Sequence, residues 1–301
     1  APARPAAGEH RIYLQAEDPG CRTGGESNMG FGTREIPPET SRDTILLEPE
    51  AVSPHWRRAP QAEVFVFATW GWYNEIARMT AVETVAPPRS RNGRQLILNA
   101  LRLKGPQLRT EIRPGNRFFL FNIRDELDRP GEWFLDYASG RLFYYPPDGR
   151  AKGHTFEAPL LERLVEVGTD ASHSARVEHL AFRGLTFRHT DYTTDRRAVR
   201  STGDCALLLK NAWNCTVADC RFVDVGGYGI RLHLDSCGNR IVDNTVTGAG
   251  AGGIILTAAQ VGWPGQRVRM NTDPAADRWA PAANWVQGNT VHHCGRYLRY
   301  N

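Results

Sequence analysis

The segment Tyr228–His233 places a guanidinium and an imidazole in a pattern that predicts one shared strand face. Ile230 and Leu232 alternate there with Arg231 and His233. Because successive side chains of a strand point to opposite faces, Arg231 and His233 face outward if the two aliphatic residues face a core. Cationic donors on an outer face can bind the hydroxyl or acid groups of a ligand. Simple solvation is the alternative for both side chains.

Two long segments that flank this strand in the sequence contribute further candidates for ligand contact. Both combine aromatic, acidic and basic residues. A sugar site needs that combination, since it requires a flat apolar surface beside groups that hydrogen-bond to hydroxyls or acids. The tryptophans can equally anchor their loop to the strands. The predicted substrate-binding residues are His189, Tyr192, Tyr228, Arg231, His233, Trp263, Asp277, Arg278 and Trp279.

Five aspartates are the candidates for catalysis. Asp219 and Asp243 occupy equivalent positions of a repeat, so their carboxyl groups are expected about 5 Å apart, as in a retaining pair of carboxylates. Both adjoin a turn, and a solvated turn is the interpretation that we favour for them. Asp235 precedes a Ser-Cys-Gly sequence, which also fits a plain turn. The other two candidates are Asp191 and Asp204.

A repeat of 24 residues positions these groups. The segment 217–222 aligns with 241–246, and the alignment continues along the chain. This register places Leu207 and Leu209 below Arg231 and His233, and Ile255 and Thr257 above them. Short strands with glycine turns at this period predict coils of a right-handed parallel β-helix, with three strands in each coil. The predicted pairs include Gly226 with Gly250, Gly229 with Gly253, Ile230 with Ile254, Leu232 with Leu256, Ala206 with Ile230, and Leu208 with Leu232.

The repeat extends in both directions through two inserted loops. Upstream, an offset of 35 implies an insertion of 11 residues near 191–202; downstream, an offset of 45 implies a loop of 21 residues around 258–281. A β-helix has no pocket of its own, so a site is expected on an outer strand face walled by these loops. The predicted ladders are Phe182/Val217/Ile241/Val286 and Phe187/Phe222/Val246/Val291 inside, and Cys220/Asn244/Asn289 in one turn.

The chain before residue 165 shows a different pattern of short apolar segments broken by Pro and Gly. Buried strands are predicted at 64–68 and 118–121, and a hairpin is predicted from strands 133–136 and 141–145 about the turn 137–140. A weak helical period covers 72–80. We therefore predict an all-β chain with an antiparallel β-sandwich-like domain at 1–165 and parallel β-helix coils at 166–301.

Composition narrows the classes of function. The net charge is +4 and the basic residues are interleaved with acids, so nucleic acid is not an expected partner. No stretch of 18 apolar residues predicts a membrane span. The six cysteines contain no CxxC pair, so no metal site is predicted, and small buried fillers are favoured over disulfides.

Two segments of the chain resemble a known architecture. The segment 122–136, followed by 139–147, resembles the end of a β-sandwich domain inserted near the start of bacterial right-handed parallel β-helix proteins. The segment 184–191 resembles the coil that resumes after it. Asp277-Arg278 with 283–286 resembles the long loop and next coil. Over roughly residues 60–301 the chain is similar to glycoside hydrolase families 141 (fucosidase and xylanase activities) and 120 (xylosidase).

This resemblance implies a secreted or periplasmic glycoside hydrolase acting on a polysaccharide or oligosaccharide. In such enzymes one carboxylic acid protonates the leaving oxygen and a second acts as nucleophile or base. The relatives are longer. The resemblance therefore implies a truncated chain, with the catalytic carboxylates in coils beyond Asn301. No cofactor is implied for hydrolysis.

Two other functions remain open from the sequence. A polysaccharide lyase acting on a uronate polymer would use Arg231 as its base, with Ca²⁺ as a cofactor, and would make an unsaturated product that absorbs ultraviolet light. A non-catalytic glycan-binding β-helix would retain sugar without turnover, and mutation of Trp263 would weaken that retention.

Overall fold

A computed structural model describes most of the chain. The described residues are 14–15, 42–47, 51–68, 73–86, 90–91, 94–95, 98–104, 112, 116–150, 152–168, 176–191, 205–257 and 281–295. Within them the chain is all-β, with 24 strands, 3₁₀ turns that include Trp56–Arg58 and Arg124–Glu126, and no α-helix. No described helix has the length and apolar character needed to cross a membrane. Residues 2–156 and 157–301 form two compact units, whereas the division drawn from sequence lies at 165.

The unit of residues 2–156 is built on one antiparallel sheet of six strands, in the order β1-β8-β3-β4-β7-β2. Two further antiparallel pairs, β5 with β6 and β9 with β10, complete its described strands. Their bounds are β1 Leu14–Gln15, β2 Thr44–Leu47, β3 Glu63–Ala68, β4 Tyr73–Val85, β5 Ser90–Arg91, β6 Arg94–Gln95, β7 Leu98–Lys104, β8 Arg117–Phe121, β9 Trp133–Asp136 and β10 Arg141–Tyr144.

The weak helical period at 72–80 does not correspond to a helix, because residues 73–80 form the first part of β4. Strand β4 pairs with β3 along one edge and with β7 along the other. These long-range pairings override the local pattern, and a bulge between Met79 and Ala81 accounts for the broken alternation. The predicted strands at 64–68 and 118–121 are confirmed as parts of β3 and β8.

The predicted hairpin is confirmed, and one asparagine holds it in place. Strands β9 and β10 pair in antiparallel fashion, from Asp136 opposite Arg141 to Trp133 opposite Tyr144. The Asn122 side chain accepts a hydrogen bond from the Leu135 N–H and donates to the carbonyls of Leu135 and Gln61. The Gln61 amide and the Ser139 hydroxyl then donate to Asp136, which lowers the pKa of that carboxyl to about 2.

The unit of residues 157–301 contains three parallel sheets of four strands. The chain adds one strand to each sheet in turn and then returns to the first sheet. Sheet 1 is β11 Val165–Val167, β15 Cys205–Lys210, β19 Tyr228–His233 and β22 Ile254–Thr257. Sheet 2 is β13 Ala181–Arg183, β17 Thr216–Ala218, β20 Arg240–Val242 and β23 Trp285–Gln287. Sheet 3 is β14 Thr186–Arg188, β18 Arg221–Val223, β21 Thr245–Thr247 and β24 Thr290–His292. A fourth pair joins β12 Val177–Glu178 to β16 Ala212–Trp213.

The predicted inward ladders are present in sheets 2 and 3. Val217 pairs with Phe182 and Ile241, and Val286 extends that ladder. Phe187 and Phe222 stack with ring centroids 4.8 Å apart, and Val246 and Val291 follow them. Most of these side chains join one apolar core between the sheets. The pairings also confirm the two insertions, which fall outside the described strands.

The predicted register is wrong by one residue between β15 and β19. Leu207 pairs with Ile230 and Leu208 pairs with Arg231, so the offset there is 23 residues rather than 24. The turn after His233 contains one more residue than the turn after Lys210 before the strands realign at Trp213 and Cys237. Between β19 and β22 the expected offset of 24 holds.

Two asparagine ladders close the turns of the stack. The Asn244 Oδ1 accepts from the Cys220 N–H at 3.0 Å, and its Nδ2 donates to the Val217 carbonyl and to the Asn289 Oδ1. The turn ladder predicted at these positions is therefore confirmed. A second ladder of Cys215, Asn239 and Asn284 repeats the arrangement. Of the five described cysteines, Cys205, Cys215 and Cys220 are buried, as expected for small fillers, whereas Cys237 and Cys294 are half-buried.

Candidate functional site

The outer face of sheet 1 gathers polar side chains from all four of its strands. Alternation in β15 and β19 buries Leu207, Leu209, Ile230 and Leu232 in the core. The residues between them therefore point outward. We term the resulting cluster the basic face and define it as Glu166, Lys210, Arg231, His233 and Thr257.

Thr257 contacts both Arg231 and His233 of β19. The Arg231 Nε donates to the Thr257 Oγ1 at 2.9 Å. The His233 Nδ1 lies 2.9 Å from the Thr257 carbonyl oxygen and 2.9 Å from its hydroxyl. Because a carbonyl oxygen only accepts, this network assigns the proton to Nδ1, and Nε2 becomes the basic nitrogen of the neutral ring.

Lys210 and Glu166 form an ion pair at the other side of the basic face. The Lys210 Nζ lies 2.8 Å from the Glu166 Oε1, and the Arg163 guanidinium also contacts this carboxylate. The hydrogen bond from Lys210 lowers the pKa of Glu166, burial opposes that shift, and the bond from Arg163 adds to it. Glu166 therefore stays ionised at neutral pH, while Lys210 and Arg231 are both buried.

Tyr228 and small apolar residues line the same face. Its ring packs so closely on Gly252 that a Cβ there would lie 2.7 Å from the Tyr228 Cε1. Burial raises the pKa of Tyr228, which the Arg231 charge opposes, so the phenol keeps its proton at neutral pH. Cys205, Leu208, Tyr228 and Ala251 form a small buried cluster here, with Ile255 packed against it.

Three of the aspartate candidates, Asp219, Asp243 and Asp235, lie in turns outside the strands that form the basic face. Asp219 and Asp243 occupy exposed corners between sheets 2 and 3 in successive coils, and both have left-handed backbone angles with φ of 55°. Asp235 is buried in the turn after β19, where its Oδ2 lies 3.6 Å from the Arg176 guanidinium. The Cζ atom of that guanidinium also lies 3.9 Å from the centroid of the Trp213 ring. Asp235 therefore has a structural role, which is to hold this turn through Arg176.

His189 and Asp191 follow β14. His189 has a φ of +58° and its imidazole contacts the Glu157 carboxylate. Asp191 is half-buried, and its backbone N–H donates to the Leu161 carbonyl at 2.8 Å. The structure thus brings Tyr228, Arg231 and His233 together among the predicted site residues. Six others lie outside the described residues: Tyr192, Asp204, Trp263, Asp277, Arg278 and Trp279.

Three residues of the basic face were missed from the sequence. The register error placed Leu209 below His233, in the position that Lys210 occupies. Glu166 lies in a three-residue strand before the clear repeat begins. Thr257 was expected above His233, but no role was predicted for it. Within the part of the chain that is described, no group of three or more His, Cys, Asp or Glu residues could hold a metal ion.

Comparison with solved structures gives an informative likeness. No protein-family model matches the chain, and no curated protein matches its sequence. A solved structure described as a glycoside hydrolase is similar, with a TM-score of 0.63 and 16% identity over 86% of this chain. The chain spans about half, 51%, of that structure's length. The all-β fold is therefore glycoside-hydrolase-like; at this identity the likeness concerns the fold alone.

Proposed function

We propose that this chain is part of a carbohydrate-active enzyme and that its glycan substrate lies across the basic face. The observation that carries this proposal is the convergence of Lys210, Arg231 and His233 with the Tyr228 ring on one outer strand face. The fold likeness to a glycoside hydrolase supports it. The stacked parallel strands support the further proposal that these coils belong to a right-handed parallel β-helix, as the sequence resemblance implies.

The arrangement suits a polymer because donors recur along the stack. Neighbouring strands of a sheet lie about 4.8 Å apart, so Lys210 on β15 and His233 on β19 form successive rows. An extended glycan that runs along the stack meets a new row at each coil.

Hydrolysis is the leading reaction. It needs an acid to protonate the leaving oxygen and a second carboxylate as nucleophile or base. Glu166 is the carboxylate on the basic face within the described residues, and its lowered pKa suits the second role rather than the first. Asp204, outside the described residues, and Asp191 remain the candidates for the acid.

A uronate lyase is the second candidate, and His233 is the observation that favours it. An arginine keeps its proton at neutral pH, so Arg231 does not suit the role of base. His233 Nε2 can instead take the proton next to the sugar carboxylate. The electron pair left behind forms the new carbon–carbon double bond as the glycosidic carbon–oxygen bond breaks. The leaving oxygen takes a proton, which protonated Tyr228 can supply.

One assay separates the three functions. The full chain is incubated with xylan, mannan, polygalacturonate and alginate, and three quantities are followed: retention on each glycan, new reducing ends, and ultraviolet absorbance. A hydrolase produces reducing ends without absorbance, a lyase produces both together, and a binding module shows retention alone. The proposal that the chain acts on glycans fails if none of the four is retained or cleaved.

The variant His233→Gln tests the basic face within this assay. Glutamine preserves hydrogen bonding but cannot exchange a proton, so lyase turnover is expected to fall about a hundredfold or more, with retention largely kept. Lys152→Gln, which removes an exposed cation in the other unit, is the control and should behave like the parent. Equal turnover by parent and His233→Gln would exclude His233 as the base.

A further inference from the structure

Trp285 is a large apolar side chain that points away from the coils and lies open to solvent. In sheet 2, Val286 follows Ile241 on the inward ladder, so Trp285 and Gln287 on either side of it face outward. Trp285 is 55% exposed. A strand added beyond β23 would lie beside Trp285 rather than over it. Stacking of coils therefore gives no reason for an indole at this position.

Two neighbours orient this indole. Its Nε1–H donates to the Gln287 Oε1 at 2.6 Å, so the ring leans along β23 toward that amide. Arg240 lies beside Trp285 on β20, and its Cζ atom is 6.0 Å from the ring centroid, at the outer limit of a cation–π contact. A ring that is both exposed and oriented loses little conformational entropy when a ligand covers it.

The Arg240 guanidinium is open to a ligand. Its side chain is exposed, and among the described residues it has no hydrogen-bond or ion-pair partner. Arg163 and Arg176 of the same unit are each paired with a carboxylate. Arg240 therefore presents its N–H donors to solvent beside an aromatic ring.

An exposed indole beside a guanidinium and an amide matches a sugar ring in its chemistry. One face of a pyranose consists of C–H groups, which can cover the indole through dispersion and release of water. The sugar hydroxyls lie around the rim of that face, where Arg240 can donate to them and Gln287 can donate and accept. A purely apolar partner would instead remove the guanidinium from water without replacing its hydrogen bonds.

The charges around the ring favour a neutral ligand. The corner that follows β17 and β20 carries the exposed carboxylates of Asp219 and Asp243. These carboxylates would repel a phosphate backbone or a polyuronate that runs along the sheet. Arg240 on the other strand position would likewise repel a cationic polymer. A glycan without charge meets neither penalty and can hydrogen-bond to groups of both signs.

We propose that Trp285, Arg240 and Gln287 form a second glycan-contact site, on the outer face of sheet 2, where a pyranose ring of a neutral polysaccharide stacks on the indole. This inference goes beyond the proposed function, because it concerns a different sheet and uses no residue of the basic face. The site retains the polymer and takes no part in the chemistry.

Variants of the full chain test the contact by affinity electrophoresis in gels that contain xylan, mannan or polygalacturonate. Trp285→Leu keeps apolar bulk but removes the flat ring, so retention by the neutral glycans should weaken about tenfold. Trp285→Phe keeps a ring and should retain most of the binding. Arg240→Gln should weaken binding several-fold. Arg221→Gln, which removes an exposed arginine from sheet 3, is the matched control and should bind like the parent.

Quenching of tryptophan fluorescence by acrylamide shows whether a glycan covers Trp285 itself. In the parent, xylan or mannan should protect part of the emission from the quencher. Because the chain has eight tryptophans, the difference between the parent and Trp285→Phe isolates this ring. Trp285→Phe should bind glycan and lose the protection, a result that a merely structural role of Trp285 would not produce. Thermal unfolding of each variant shows that it folds.

The outcomes separate this inference from the proposed function. If Trp285→Leu is retained as strongly as the parent, or if the neutral glycans protect no emission, the inference is overturned while the glycan function of the basic face stands. Protection by polygalacturonate or by a single-stranded oligonucleotide in place of the neutral glycans would also overturn it. If the parent neither retains nor cleaves any glycan, the proposed function fails as well.

Discussion

Two regions of the unit formed by residues 157–301 follow opposite rules. In sheets 2 and 3, equivalent positions of successive coils carry similar residues, as in Val217, Ile241 and Val286, or in Asn244 and Asn289. On the basic face the residue type changes at each step, and one ladder runs Lys210, His233, Thr257. The first pattern builds a stack, and the second builds a surface that differs along its length.

The physical reason lies in what each position must satisfy. An inward apolar side chain or a buried asparagine meets its own equivalent in the next coil, so repetition of one residue type satisfies every copy. Stacked cations about 4.8 Å apart would repel one another. On the basic face Arg231 therefore lies between two apolar residues, Leu208 and Ile255, and Lys210 is paired with the Glu166 carboxylate. A position where the residue type changes from one coil to the next is therefore a position that stacking does not require.

The largest effect is expected in the stack, from Phe222→Ala. Phe222 is fully buried and stacks on Phe187. Its loss should lower the free energy of unfolding by about 3–5 kcal/mol, since the core cannot close over the cavity. Denaturant unfolding measures this change, and Phe222→Leu, which keeps most of the volume, should cost much less. A comparable loss from Arg231→Gln would contradict the division between stack and face.

A smaller effect is expected from the asparagine ladder. Asn244→Ala leaves the buried Cys220 N–H and Val217 carbonyl without their side-chain partner. The free energy of unfolding should therefore fall by about 2–3 kcal/mol. Asn289→Ala removes the same type of contact at a half-buried position. Water can replace it there, so about 1 kcal/mol or less is expected. Equal losses at both positions would show that burial does not set the cost.

The stack was predictable because its signal is repetition. Val217 and Ile241, and Asn244 and Asn289, share residue types at fixed offsets, and the structure pairs them as expected. The β4 strand was not predictable in this way, since its partners β3 and β7 come from elsewhere in the chain. Local pattern carries little information about such pairings.

The basic face was predictable only in part, for the same reason. Arg231 and His233 were found because they alternate with Ile230 and Leu232. Lys210 was missed because one extra residue in the turn after His233 shifts the register, and a single shift moves every side chain to the other face. The contact of Thr257 with Arg231 depends on how the Arg231 side chain leans, which no spacing shows.

The smallest expected effect is a pH-dependent contribution of the basic face to the free energy of unfolding. The pKa of Glu166 in the folded chain lies below its ordinary value of 4.5, chiefly because Lys210 donates to it. A lowered pKa gives stability that is present above the ordinary value and is lost as pH falls through the folded one. Because this side chain is 38% exposed, solvent screening limits the contribution to about 0.5 kcal/mol or less.

Glu166→Gln should therefore be less stable than the parent at neutral pH, and the gap should close as the pH falls below about 4.5. Denaturant unfolding of both proteins across this range measures the gap. Asn244→Ala is the matched control from the stack. Because an amide does not titrate, the loss of stability in this variant should not vary with pH. A gap for Glu166→Gln that stays constant from neutral to acid pH would show that the pair with Lys210 contributes no titrating stability, and that the basic face behaves like the stack.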